Sequence, residues 1–186
     1  QYVEGTSGYN KALEIYNGTE VSIDLSSVSL WRISNGGDWP EAQLALSGSL
    51  APGATFVVAH DEADDSGILA AADLLDDFLN FNGNDALGLV VEGVLVDVVG
   101  TSGDAPDDGW DVAGFPEATR DNGLIRRLGA SPTTDWATSA GTFDLDSQWQ
   151  VMSPDRAIQY LGSHPHPGAL GHRCPEAGAC QLLIPE

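Results

Sequence analysis

The stretch "LNFNGNDALGLVVEGVLVDVVG", Leu79 to Gly100, decides the fold. Two apolar runs, Ala86–Val91 and Val94–Val99, flank a two-residue Glu92-Gly93 turn. That spacing predicts a β-hairpin, because two-residue loops match the right-handed twist of paired strands. The polar corner before it, Asn82-Gly83-Asn84-Asp85, has two readings. It holds a metal ion, or it is the way the chain turns into a strand. The turn is the favoured reading. Asn-Gly tolerates positive φ, and Asn84 or Asp85 can accept nearby backbone N–H groups.

Strand signals continue outward from the hairpin. "ALEIY" (Ala12 to Tyr16) alternates and ends at Asn17-Gly18, a turn signal. "VSIDL" and "VSLWRIS" alternate too, which places Trp31 in the core. "AQLALSGSL" runs into Ala51-Pro52-Gly53, and "TFVVAH" (Thr55 to His60) reads as a buried strand. One helix is predicted in "DDSGILAAADLLDD", capped by Asp65 or Ser66, with Ile68, Leu69, Ala72 and Leu75 on one face. Beyond the hairpin, Gly100 to Asn122 is an Asp-, Gly- and Pro-rich loop, long enough to be functional or mobile. "GLIRRLG" is the next strand and "WQVMS" a last short element. These signals predict an all-β sandwich with one short helix over residues 2–163, and an irregular C-terminal tail over 164–186.

The charge narrows the function. There are 28 acidic residues against 7 basic ones, a formal charge of -21. Nucleic-acid affinity comes largely from basic side chains displacing counterions, so direct, metal-free binding of DNA or RNA is not expected. Two uses of the acidity stay open: solubility in a salty medium, or acidic loops that hold Ca²⁺. No apolar run approaches the ~18 residues of a membrane span. Gln1-Tyr2-Val3 reads as a strand rather than a leader. The two cysteines, Cys174 and Cys180, lie six apart in "CPEAGAC". A disulfide closing this loop is the simplest reading, worth about 2 kcal/mol in the loop-entropy model, and it implies an oxidising, extracellular setting. A zinc site with His166 or His172 is the alternative, but the spacing fits no standard zinc pattern.

Candidate sites are few. The best calcium candidate is Asp104, Asp107, Asp108 and Asp111 in "GDAPDDGWD". Six to eight oxygens would have to converge there, and a solvated Asp-rich loop explains the same residues. "HDEADD" is better read as helix capping. Glu4 and Glu14 could share a cation or take backbone and arginine hydrogen bonds, and the hydrogen bonds are the favoured reading. Trp110, inside the acidic loop, is a candidate ligand-binding residue. An exposed indole beside carboxylates suits a sugar face or a protein interface, whereas a ring that folds back pins its own loop. His60 at a strand end is expected to be structural. The other histidines, His164, His166 and His172, lie in the tail, so no nuclease-like metal cluster is expected. There is no G-x-S-x-G and no phosphate loop. Arg126 and Arg127, as adjacent strand residues, face opposite ways.

Several segments together resemble bacterial lamin-tail domains. They are "YVEGTSGYNKALEIYNGT", "IDLSSVSLWRISNGG", "LAPGATFVVAH", "ILAAAD", "LNFNGNDALGLV" and "DVVG", with "FDLDSQWQVMSPDRAIQYLGSH" near the end. The resemblance runs from Tyr2 to about His164 and departs at "SPTTDWATSAGT" and in the Gly100–Asn122 loop. It implies an immunoglobulin-like β-sandwich. It also implies a setting, since such domains are commonly attached to secreted nucleases or other exported enzymes. The family hands over no catalytic set. The expectation is a non-catalytic accessory domain of a secreted enzyme, with a protein or surface-polysaccharide partner. A calcium-dependent carbohydrate-binding module is the alternative, and a stand-alone metal-dependent hydrolase is a distant third.

Overall fold

A computed structural model describes residues 1–6 and 8–164. In chain order the strands are β1 (Tyr2–Glu4), β2 (Lys11–Tyr16), β3 (Ile23–Asp24), β4 (Val28–Ile33), β5 (Ala42–Ala45), β6 (Ser49–Leu50) and β7 (Thr55–Ala59). Helix α1 (Ser66–Ala71) then leads to β8 (Leu74–Leu75), β9 (Ala86–Val91), β10 (Val94–Val99) and β11 (Gly123–Arg126). Helix α2 (Trp136–Ala140), β12 (Trp149–Met152) and helix α3 (Pro154–Ile158) complete the described residues. Cys174, Cys180 and all but the first residue of the expected tail lie outside them.

The hairpin forms where the sequence places it. β9 and β10 pair antiparallel, and Glu92 (φ 51°) and Gly93 (φ 78°) both take the left-handed conformation that a tight hairpin turn requires. The register slips between Leu95 and Asp97, a bulge that re-aims the following side chains. β9 also pairs with β4, and β4 with β5, giving a four-stranded sheet in the order β10-β9-β4-β5. It faces a six-stranded sheet in the order β12-β11-β1-β2-β7-β8, and β3 and β6 form a separate two-stranded ribbon. The main core lies between the two large sheets and includes Tyr2, Leu13, Leu30, Val58, Phe81 and Leu87.

Strands β2 and β7 are buried on both faces. Leu13 and Val58 face the main core, while Ala12, Val57 and Ala59 face a second, smaller one. Ile68 of α1 and Ala157 of α3 close that second core from outside. This is why "TFVVA" is apolar without a break. The expected helix is shorter than its pattern. Asp65 caps it, accepting from Gly67 N–H at 2.8 Å and Ile68 N–H at 3.1 Å, but it stops at Ala71. Leu75 belongs instead to β8, which runs parallel to β7. Two further one-turn helices, α2 and α3, carry only local start signals: the Asp135 cap of α2, and Ser153-Pro154 with Asp155 in the first turn of α3. Trp31 is half-buried on the face of β4 opposite Leu30 and stands outside the core.

The Gly100–Asn122 segment is irregular but packed. Val112, Ala118 and Thr119 are fully buried. Thr119 ties the loop down: its hydroxyl donates to Gly83 C=O at 2.7 Å and accepts from Trp110 N–H at 2.8 Å. Its own C=O accepts from the Tyr2 hydroxyl at 2.6 Å. The "NGND" corner is therefore the seat of this loop as well as a turn. Asp85 accepts from Asn82 N–H (2.8 Å) and Asn35 N–H (3.0 Å). Gly83 does not take positive φ. Its lack of a side chain matters because a Cβ would lie 2.7 Å from Arg120 Cα and 2.8 Å from Asp108 O.

Candidate functional site

The densest group of buried ionisable side chains crosses three neighbouring strands. Glu4 on β1 is registered directly opposite Lys11 on β2. His60, just after β7, continues the row through its N–H, which donates to Lys11 C=O at 3.1 Å. Their exposures are 6%, 6% and 1%. Lys11 lies on the same face of β2 as Leu13, so its long stem runs into the core, as period-2 alternation requires. Its Nζ donates to Phe81 C=O, sits 5.3 Å from the centre of the Phe81 ring and is 3.9 Å from Glu4 Oε1. Glu4 Oε2 accepts from Asp121 N–H at 3.0 Å.

Burial pushes the Glu4 carboxyl up to about 7, against the opposing pulls of the Asp121 N–H and of Lys11. Burial also lowers the Lys11 amine, and the Glu4 and Asp85 charges partly restore it. Both groups are driven towards their neutral forms. His60 accepts from Glu62 N–H through Nδ1 at 3.0 Å, and Tyr9 stacks on its ring at 4.2 Å. Its Nε2 is buried with no hydrogen-bond partner among the described residues.

Glu14 lies on the opposite face of β2, where its Oε2 accepts from Gly162 N–H at 2.7 Å. Glu4 and Glu14 therefore do not share a cation. Each takes a backbone N–H, and Glu4 meets a lysine rather than an arginine.

The acidic loop spreads its carboxylates outward. Asp104, Asp107, Asp108 and Asp111 are all exposed. Asp108 pairs with Arg120 at 2.6 Å, and Asp111 accepts from Glu117 N–H at 3.0 Å. Asp104 and Asp107 are held through their backbone carbonyls, by the Thr101 hydroxyl and the Asn84 amide. Among the described residues no group of three or more His, Cys, Asp or Glu side chains is placed to hold a metal ion. Trp110 is half-buried. Its ring packs edge-on to Trp136 with centroids 6.3 Å apart and lies against Gly100, where a Cβ would come within 2.5 Å of it.

Arg126 and Arg127 diverge, as adjacent strand residues must. Arg126 bonds Asp97, Ser139 and Gln148, while Arg127 reaches Asp144 at 2.6 Å. The Asp97–Arg126 pair stands in the wall of a cavity of ≈ 830 Å³ between the sheets. Leu13, Ile15, Leu30, Leu89 and Val91 supply much of its lining. This cavity offers apolar contact, and its ion pair is already closed on itself.

The family model of the lamin tail domain matches residues 1–103. The chain belongs to the lamin tail domain family. The match covers the four-stranded sheet and the strands from β1 to β8, and it ends within the acidic loop. The larger sheet of this lamin tail domain is completed beyond the match: β11 pairs with β1 through Tyr2↔Leu124 and Val3↔Gly123, and β12 pairs with β11. No curated protein and no solved structure matches the chain.

Two residues of structural weight carried little sequence signal. Asn10 accepts from both Asp64 N–H and Asp65 N–H at 2.9 Å, so it anchors the start of α1. Asn17 is buried and donates to Val21 C=O and Leu50 C=O. Lys11 was findable, because it alternates in phase with Leu13 and Ile15.

Proposed function

We propose that this lamin tail domain is a non-catalytic attachment module of a secreted enzyme, with an extracellular nuclease as the favoured parent. The observation that carries the reading is how the candidate polar groups are used. Glu4, Lys11, Glu14 and Asp85, within the residues that match the family, and Arg126 beyond them are all bonded into the fold, and the carboxylates of the acidic loop are exposed. Such an arrangement builds a stable body with an acidic surface. The partner would be a protein or a surface polysaccharide, met outside the cell. The calcium-dependent sugar module ranks lower, because Trp110 packs against Trp136 and the Asp108 and Asp111 carboxylates have separate partners.

The test has two arms. The purified domain is assayed on DNA, RNA and simple phosphodiesters with Mg²⁺ or Ca²⁺ present, and no turnover is expected. The domain is then deleted from its parent enzyme. We expect kcat on soluble substrate to be unchanged and retention on the cell envelope to fall. Turnover by the domain alone, abolished by His60→Ala, would replace this reading with an enzymatic one.

A further inference from the structure

We propose that Lys11 and Glu4 form an intramolecular amide cross-link, in which the Lys11 Nζ condenses with the Glu4 side-chain carboxyl and joins β1 to β2 inside the core. The two side chains are opposite one another in an antiparallel pair, where Cβ atoms lie ~5 Å apart. Both are shielded from water, with 7% of each side chain exposed. Nζ stands 3.9 Å from Oε1.

The surroundings suit the amide better than the ion pair. A buried ion pair must recover the desolvation of both ends, and that recovery is often incomplete. The amide carries no charge. It needs one acceptor for its N–H and one donor for its C=O, and both are already in place. Phe81 C=O accepts from Nζ, and Asp121 N–H donates to Oε2. The Asp121 N–H also polarises the carboxyl and would hold the oxyanion of a tetrahedral intermediate. Burial favours the neutral amine, the nucleophilic form, and the neutral carboxylic acid, the form that can lose hydroxyl as water. The charges facing the pair are those of Asp85, Asp121 and Arg32.

The step balances without another reactant. The Nζ lone pair attacks Glu4 Cδ and the C–N bond forms. The C–Oε1 bond then breaks. Oε1 leaves as water, carrying the carboxyl proton and one proton from nitrogen. The product is a secondary amide, with no change in oxidation state.

Intact mass tests the cross-link directly. The folded full chain is reduced, denatured and weighed, then cleaved after Tyr9, which lies between the two residues. We expect a mass one water below that of the sequence, and fragments bearing Glu4 and Lys11 that stay joined. Lys11→Arg should have the full mass. Wild-type protein at its sequence mass, with the two fragments separating, overturns the proposal. So does a water loss that persists in Lys11→Arg or maps to Asp108-Gly109, where a cyclic imide would also lose water. Should Lys11→Arg fail to fold, the wild-type fragment map is sufficient: joined fragments support the cross-link, and separate ones overturn it.

Discussion

Asp97 on β10, an edge strand of the four-stranded sheet, pairs with Arg126 on β11, one strand in from the edge of the six-stranded sheet. The bulge in β10 precedes Asp97, and Asp97 Oδ1 also accepts from Thr133 N–H at 3.1 Å. Arg126 Nη1 donates to Ser139 and Gln148 at 2.7 Å each, Nη2 donates to Asp97, and the guanidinium lies 4.2 Å from the Trp149 ring centre. Lysine cannot reproduce a planar fork and a stack together. Arg126→Lys should cost about 1.5–3 kcal/mol, the range of hydrogen bonds to a charged group. Urea unfolding would show it as a lower midpoint at constant slope. An unchanged midpoint would mean that the sheets are held by apolar packing alone.

Gly83 of the "NGND" corner packs against Arg120 and Asp108 of the acidic loop with no room for a Cβ between them. A methyl group at Gly83 would press on backbone, which cannot rotate away. Gly83→Ala should therefore destabilise by about 1–3 kcal/mol, the usual cost of overpacking. Amide exchange should rise first in the 108–120 loop. A uniform rise across the domain would show instead that the loop does not open separately.

Regular repeats were legible in the sequence, and contacts that depend on three-dimensional accidents were not. The hairpin came through whole because its two-residue turn and its alternation agree. Asp65 as a helix cap was legible for the same kind of local reason. The end of α1 at Ala71 was not, because pairing of Leu74 and Leu75 with β7 overrides a weak helical pattern. Trp31 was misplaced because alternation shows which residues share a face but not which face is inside. The row of Glu4, Lys11 and His60 required the register of three strands, and no local pattern supplies that.

Glu92 is the weak residue of the hairpin. It holds φ 51° with no glycine to make that easy. Asn populates this region more readily and precedes Gly in the favoured tight turn. Glu92→Asn should stabilise by about 0.5–1 kcal/mol, the scale of a relieved left-handed residue. A thermal melt at matched ionic strength reads the gain. A fall in midpoint would mean that the Glu92 carboxylate makes a contact worth more than the strain.

Three exposed aspartates contribute to the acid limb of stability. Asp24 is held below its usual value chiefly by the Ser26 N–H, Asp135 by the Thr138 hydroxyl and Asp146 by the Phe143 N–H. A depressed carboxylate contributes stability above its unfolded value of 3.8, and that contribution is lost as pH falls through the lower folded value. Asp146→Asn should remove part of this dependence and leave a shallower decline below about pH 4. The slope of unfolding free energy against pH measures it. Equal slopes for both proteins would remove Asp146 from the acid response.

The charge of -21 predicts a salt response that does not distinguish cations. Asp104, Asp107, Asp108 and Asp111 are exposed, and the Asp108 and Asp111 carboxylates have separate partners, whereas calcium needs six to eight oxygens around one point. Screening of mutual repulsion depends on ionic strength. The domain should therefore melt at the same temperature in CaCl₂, MgCl₂ and NaCl of equal ionic strength, and lower in dilute buffer with EDTA. A specific site would instead add roughly 2.7 kcal/mol at a hundredfold excess of ligand over its Kd. A rise with calcium alone would require the acidic loop to rearrange until its carboxylates converge. That rearrangement would free the Trp110 ring as well, since Thr119 holds Trp110 N–H and the loop together. The sugar-binding reading would then displace the attachment module.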